Sequence, residues 1–154
     1  MNPYEKLKEL GIELPPVVKP LASYVPSVKA DNYVFVSGQL PLVGGKLLYE
    51  GRVPSQVSVE DGYKAARQSA INILAALHAE ISDLGRIKRI VRLNGYVASD
   101  DDFTMQPKVI NGASDLFVEV FGEAGKHTRA VMGVNSLPIN SPVEIDAIVI
   151  LKEE

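Results

Sequence analysis

The sequence predicts an α+β subunit in one domain spanning residues 1–154, with a single sheet and two helices packed on one of its faces. Three observations support this. Strand-like and helix-like segments follow the order β-β-(β)-α-β-α-β-β after a short leading helix, and helices interleaved with strands pack as a layer on a sheet. The 154 residues, 46% hydrophobic and 23% charged, suit one substantial core with an ordinary globular surface. No internal repeat or low-complexity linker divides the chain.

The elements can be justified in order. Residues 1–11 read as a short helix, with Pro3 near its start, Leu7 and Leu10 on one face and Gly11 as its left-handed stop. Residues 14–20, bracketed by Pro15, Pro16 and Pro20, form an extended connector, because proline removes the donor that a helix or central strand needs. Strands are expected at 23–29 and 33–37, joined by the turn Ala30-Asp31-Asn32. Gly44-Gly45 makes a further turn before a short edge strand at 46–49. Ser58 caps a long helix to residue 81, with Glu60 and Asp61 at the positive end of its dipole and Ala66, Ala70, Ile73, Leu74 and Leu77 on its apolar stripe. Residues 87–98 form a long strand, and 105–121 a second helix ending at Gly122. The last two strands, 127–137 and 143–151, are joined by Pro138-Ile139-Asn140-Ser141-Pro142. Two helices cover only one face of such a sheet, so an apolar second face has to be covered by other subunits.

Composition narrows the function. Cysteine is absent, which removes disulfides, a thiolate nucleophile and cysteine-bound metal. With only His78 and His127, a zinc site is not expected. The net charge of −3 comes without a concentrated basic run, which argues against nucleic acid as a partner. No apolar run approaches a membrane span, and residues 1–10 lack the apolar core of a signal peptide, so a cytoplasmic protein is expected. The Asp100-Asp101-Asp102 run lacks the spaced ligands and closing Glu of a calcium loop and reads as a solvated turn.

Arg129 and Glu144 are the candidate reacting pair. Strand alternation allows both to lie on the open sheet face. A hairpin turning near Asn140 sets Arg129 opposite residue 150 or 151 and leaves Glu144 roughly 20 Å along the strand. A ligand shared by the two then has to sit between subunits. An Arg fork binds a carboxylate through two parallel hydrogen bonds, and a Glu in a half-dry pocket has a raised pKa and can pass a proton to or from water. Taken alone, each residue has a blander reading: an ion pair for Arg129 and Glu144, a surface aromatic for Tyr24, a strand-end turn for Ser37 and Gly38, an exposed polar group for Asn111, and a strand-start residue for His127.

Four features occur together in order. Ser37-Gly38-Gln39 ends an apolar strand, and Tyr24 stands thirteen residues before Ser37. Asn111 opens Asn-Gly-Ala-Ser in the second helix. Arg129 is followed eight residues later by Leu137-Pro138 and then by Val143-Glu144-Ile145. On these motifs the chain resembles the YjgF-type reactive-intermediate (enamine/imine) deaminase family, also called Rid or endoribonuclease L-PSP, in a subgroup with a longer N-terminus. The resemblance runs from residue 23 to 151. It implies a chorismate-mutase-like fold and a homotrimer of barrel-like form. It also implies cofactor-free, metal-free hydrolysis of 2-enamine or 2-imine acids to 2-keto acids and ammonia. By resemblance, Arg129 holds the carboxylate, Glu144 of a neighbouring subunit activates water, and Tyr24, Ser37, Gly38 and Asn111 line the pocket. Val131 stands where well-known members carry a cysteine near the pocket. Two other functions compete: binding of a small carboxylate such as a 2-keto acid without turnover, and RNA cleavage.

Overall fold

The computed structural model describes residues 2–154. Helix α1 (Pro3–Glu9) is capped by the Asn2 side chain, which accepts from the Tyr4 amide at 2.9 Å. Leu7 buries against the core. The Tyr4 hydroxyl accepts from the Leu84 amide (2.8 Å) and lies 2.9 Å from Nδ1 of His78, pinning the segment to the body. The connector 14–20 is extended, as its prolines require.

Strands β1 (Ser27–Ala30) and β2 (Tyr33–Gln39) form a hairpin, with Asp31 in the left-handed region at its turn. β1 starts later than the sequence suggested, because Pro26 cannot donate to a ladder. In place of one short edge strand there is a separate two-residue hairpin, β3 (Leu42–Val43) and β4 (Lys46–Leu47). Its turn needs positive φ at both Gly44 (58°) and Gly45 (80°), which glycine adopts without a Cβ penalty.

Helix α2 (Val59–Ile81) begins where Ser58 Oγ accepts from the Asp61 amide at 3.0 Å. It ends at Ser82, in the left-handed conformation. Strand β5 (Ile87–Ala98), helix α3 (Gln106–Phe121), strand β6 (Thr128–Val134) and strand β7 (Val143–Leu151) complete the chain. The five-stranded sheet has the order β1-β2-β7-β5-β6. Its core face carries Val34, Leu93, Ile145 and Val149 under the two long helices.

This order corrects one expectation. β6 and β7 do not form a hairpin. β6 lies parallel to β5 at the sheet edge, and β7 runs antiparallel between β2 and β5. Strand–helix–strand connections join parallel strands, and α3 is that crossover. The turn after β6 then carries the chain past β5, held where the Gly51 amide donates to the Asn140 carbonyl (2.9 Å) and the Ala98 amide to that of Pro142 (2.9 Å).

Helices α2 and α3 approach at Gly112, where a Cβ would lie 2.0 Å from the Tyr63 carbonyl oxygen. Beside it, the Tyr63 hydroxyl donates to Asp115 (2.7 Å), which pushes the phenol pKa up to about 12, and Arg67 pairs with Glu119 at 3.1 Å. Gly112→Ala is expected to destabilise the protein by about 1–3 kcal/mol or more through overpacking. Thermal unfolding should show this as a fall in Tm of roughly 2–4 °C per kcal/mol.

Candidate functional site

The end of β2 is built to admit a carboxylate. Pairing with β7 slips between Val36 and Gln39, so Ser37 and Gly38 form a bulge. The Ser37 hydroxyl donates to the Val25 carbonyl (2.6 Å) and its amide to that of Pro26 (2.9 Å), which ties the bulge to the segment bearing Tyr24. A Cβ on Gly38 would lie 2.7 Å from Oε1 of Glu144, so the missing side chain leaves the room that the carboxylate occupies.

Glu144 is half-buried on the face of the sheet away from the helices. Burial, and secondarily the charge of Asp146, raises its pKa above the usual carboxylate value. Asp146 is also raised by burial, opposed by the Asn94 amide that donates to it at 2.8 Å. Arg92 Nε in turn donates to Asn94 Oδ1 (3.1 Å). A polar row therefore crosses the open face beside exposed Val28, Tyr33 and Phe35.

Tyr24, Ser37, Gly38 and Glu144 line one cavity of about 450 Å³. Val18, Leu21, Leu40 and Leu42 line its apolar remainder. Four of the predicted site residues thus converge.

The other three lie elsewhere. Arg129 is level with buried Leu93, so it faces the helices and not the open side that strand alternation allowed. Its Nη1 donates to Ser114 Oγ (3.0 Å) and its Nη2 to the Pro107 carbonyl (3.4 Å), both on α3. Asn111 lies between those two positions on the same helical stripe, four residues after one and three before the other. Val131 shares the helix-facing side of β6 and packs on the core.

His127 supports the arginine indirectly. Its Nδ1–H donates to the Gly125 carbonyl (2.6 Å), leaving Nε2 to accept from the Ser114 hydroxyl at 2.8 Å. Burial lowers its pKa, and the nearby Arg129 charge lowers it further, against the Gly125 bond. The sequence reading passed over Ser114, although it falls one helical turn after Asn111. It also gave no role to Asp146, two residues from Glu144 on the same strand face.

Within one chain the pair stays apart. Arg129 is level with Ala147, three residues from Glu144 and two strands away, or about 10 Å along the strands and about 10 Å across them, with the side chains on opposite faces. The hairpin was the wrong route to this separation, but the separation remains. Among the described residues, no cluster of three or more His, Cys, Asp or Glu is placed to hold a metal, and no helix is long and apolar enough to cross a membrane.

A family model described as "YjgF/chorismate mutase-like, putative endoribonuclease" matches residues 5–151. The Trypanosoma cruzi protein TCP17 is 43% identical over 146 residues, covering 93% of this chain and 90% of that protein. The crystal structure of Agrobacterium tumefaciens Atu1372, described as of unknown function, matches with a TM-score of 0.91 at 46% identity, covering 97% of this chain and 92% of that one. A Dermatophagoides farinae protein named 2-iminobutanoate/2-iminopropanoate deaminase is 26% identical over 141 residues, covering 92% of this chain and 95% of that protein.

The Glu144 environment predicts a pH effect. Its raised pKa means that the folded chain keeps the proton to higher pH than the unfolded chain does. Stability relative to a neutral side chain is therefore intact below the ordinary value of 4.5 and is lost as pH rises through the folded pKa. Glu144→Gln should raise Tm at about pH 7.5 and leave it nearly unchanged at about pH 4, as read by thermal unfolding in matched buffers.

Proposed function

This chain belongs to the YjgF/chorismate-mutase-like family, and on that premise we propose that it hydrolyses reactive 2-enamine and 2-imine acids to 2-keto acids and ammonia, without a cofactor, in a pocket shared between protomers of a homotrimer. The observation that carries this reading is the Glu144 carboxyl seated over Gly38 in a largely apolar cavity, with no arginine among the described residues that line it. The edge position of β6 makes Arg129 available to a neighbour, and the apolar open face around Phe35 and Val28 gives protomers a reason to associate. The name of the Dermatophagoides relative supports the same chemistry.

In this mechanism the guanidinium of Arg129 grips the substrate carboxylate through paired hydrogen bonds. An enamine first tautomerises to the imine. Glu144 takes a proton from water as the oxygen attacks C2 and the C=N bond becomes single. That proton is passed to nitrogen, giving a carbinolamine; the new hydroxyl then gives up its proton through Glu144 to the same nitrogen, the C–N bond breaks, ammonia leaves and C2 becomes a carbonyl. Burial raises the Glu144 pKa above the usual carboxylate value, which suits a group that must both take up and give back a proton. Tyr24 closes the cavity, and Asn111 adds a hydrogen bond near the carboxylate anchor. The cysteine-free chain suits a reducing, cytoplasmic setting.

Endoribonuclease activity is the weaker reading. The chain carries a net charge of −3, and both ring nitrogens of His127 are engaged, by Ser114 and Gly125.

The purified protein, added to freshly generated 2-aminoacrylate or 2-iminobutanoate, should accelerate ammonia and keto-acid release. Arg129→Ala should lower kcat/KM by about 100-fold or more while leaving the assembly folded. Equal release with wild type, with the variant and with buffer alone would end the hydrolase reading. Keto-acid binding without turnover would instead favour a carrier or sensor.

A further inference from the structure

The cavity beside Glu144 is larger than a three-carbon acid requires. Its roughly 450 Å³ equals about fifteen waters at ~30 Å³ each, in the range that holds ligands with substantial side chains. Glu144 comes to it from β7, and Ser37 and Gly38 from the end of β2. Apolar wall is supplied by Val18 of the N-terminal connector, by Leu21 just after it, and by Leu40 and Leu42 that follow β2. Leu40 and Leu42 are themselves buried. Both walls are firmly set. Pro15, Pro16 and Pro20 restrict the connector backbone, and the fully buried Asn72 donates to the carbonyls of Leu40 (2.9 Å) and Leu42 (3.0 Å). A second cavity of about 360 Å³ shares Val18, Lys19, Leu21 and Leu42 with the first, so this stretch of chain stands between two spaces. Among the described residues, the one cation on the lining is Lys19, whose residue is solvent-exposed.

We propose that the N-terminal connector is the specificity wall of the site, and that the preferred substrates are 2-imino and 2-keto acids with a branched or extended apolar side chain. The inference rests on the pocket reading above, in which Arg129 of a neighbouring protomer holds the carboxylate. The ligand's reacting carbon then lies at the Glu144 end and its side chain runs toward Leu21 and Leu42. The one cation among the described lining residues, Lys19, is exposed, so a second carboxylate would meet a solvated ammonium and gain little from it.

Calorimetric titration of the assembled protein with pyruvate, 4-methyl-2-oxopentanoate and 2-oxoglutarate tests this without depending on turnover. The branched acid should bind at least about tenfold more tightly than pyruvate, because each buried methylene discriminates by about that factor. Leu21→Asp, at a side chain 57% exposed and so tolerant of charge, should collapse that ratio toward unity. Equal affinities, tighter binding of the dicarboxylate, a ratio unchanged in Leu21→Asp, or no binding of any acid would each overturn the proposal. A preserved ratio in a protein that turns over no imine would sink the hydrolase reading and leave this one standing, whereas turnover without preference would do the reverse.

Discussion

The central strand β7 presents two different surfaces, and the rest of the molecule is arranged around that difference. Val143, Ile145, Ala147, Val149 and Leu151 point into the helices and are buried, while Glu144, Asp146, Ile148 and Ile150 point the other way and stay half-covered. Strand geometry makes this alternation obligatory, and a slip of one residue would exchange the two sets. With β2 on one side and β5 on the other, β7 fixes where the carboxyl of Glu144 must sit. The bulge at Ser37-Gly38 then supplies the space for it.

Much of this was legible in the chain because it is local. β5 and β7 occupy the spans that alternation and β-branched residues indicate, and α2 starts at the Ser58 cap. Tyr24, Ser37, Gly38 and Glu144 do gather at one cavity. What was not legible is pairing between distant strands. The partner of β6 depends on how α3 carries the chain back over the sheet, and a five-residue turn before β7 made a hairpin look natural. That pairing sets Arg129 beside Leu93 on β5, and its side chain lies on the helix-facing side, not the open one that alternation allowed. The cavity wall formed by Val18 and Leu21 was hidden for the same reason, since an extended proline-rich connector gives no periodicity from which to read its packing.

The two halves of the site have different physical characters. Around Glu144, desolvation and the neighbouring Asp146 oppose ionisation, so the carboxyl is poised to exchange a proton. Around Arg129, Ser114 and the Pro107 carbonyl hold the guanidinium, with His127 kept neutral behind the serine by burial. In the proposed mechanism one half handles protons and the other handles negative charge. Register keeps them apart within a chain, so the proposed site needs a neighbour.

That need for two chains can be measured by complementation. Arg129→Ala and Glu144→Gln proteins, each inactive alone, would be unfolded together in equal amounts and reassembled. In random trimers whose sites take the arginine from one chain and the glutamate from the next, about a quarter of the sites regain both native groups, and a corresponding fraction of imine hydrolysis should return. If the mixture stays as inactive as its components, while wild-type protein taken through the same cycle recovers, the two groups do not act across an interface and the account is wrong.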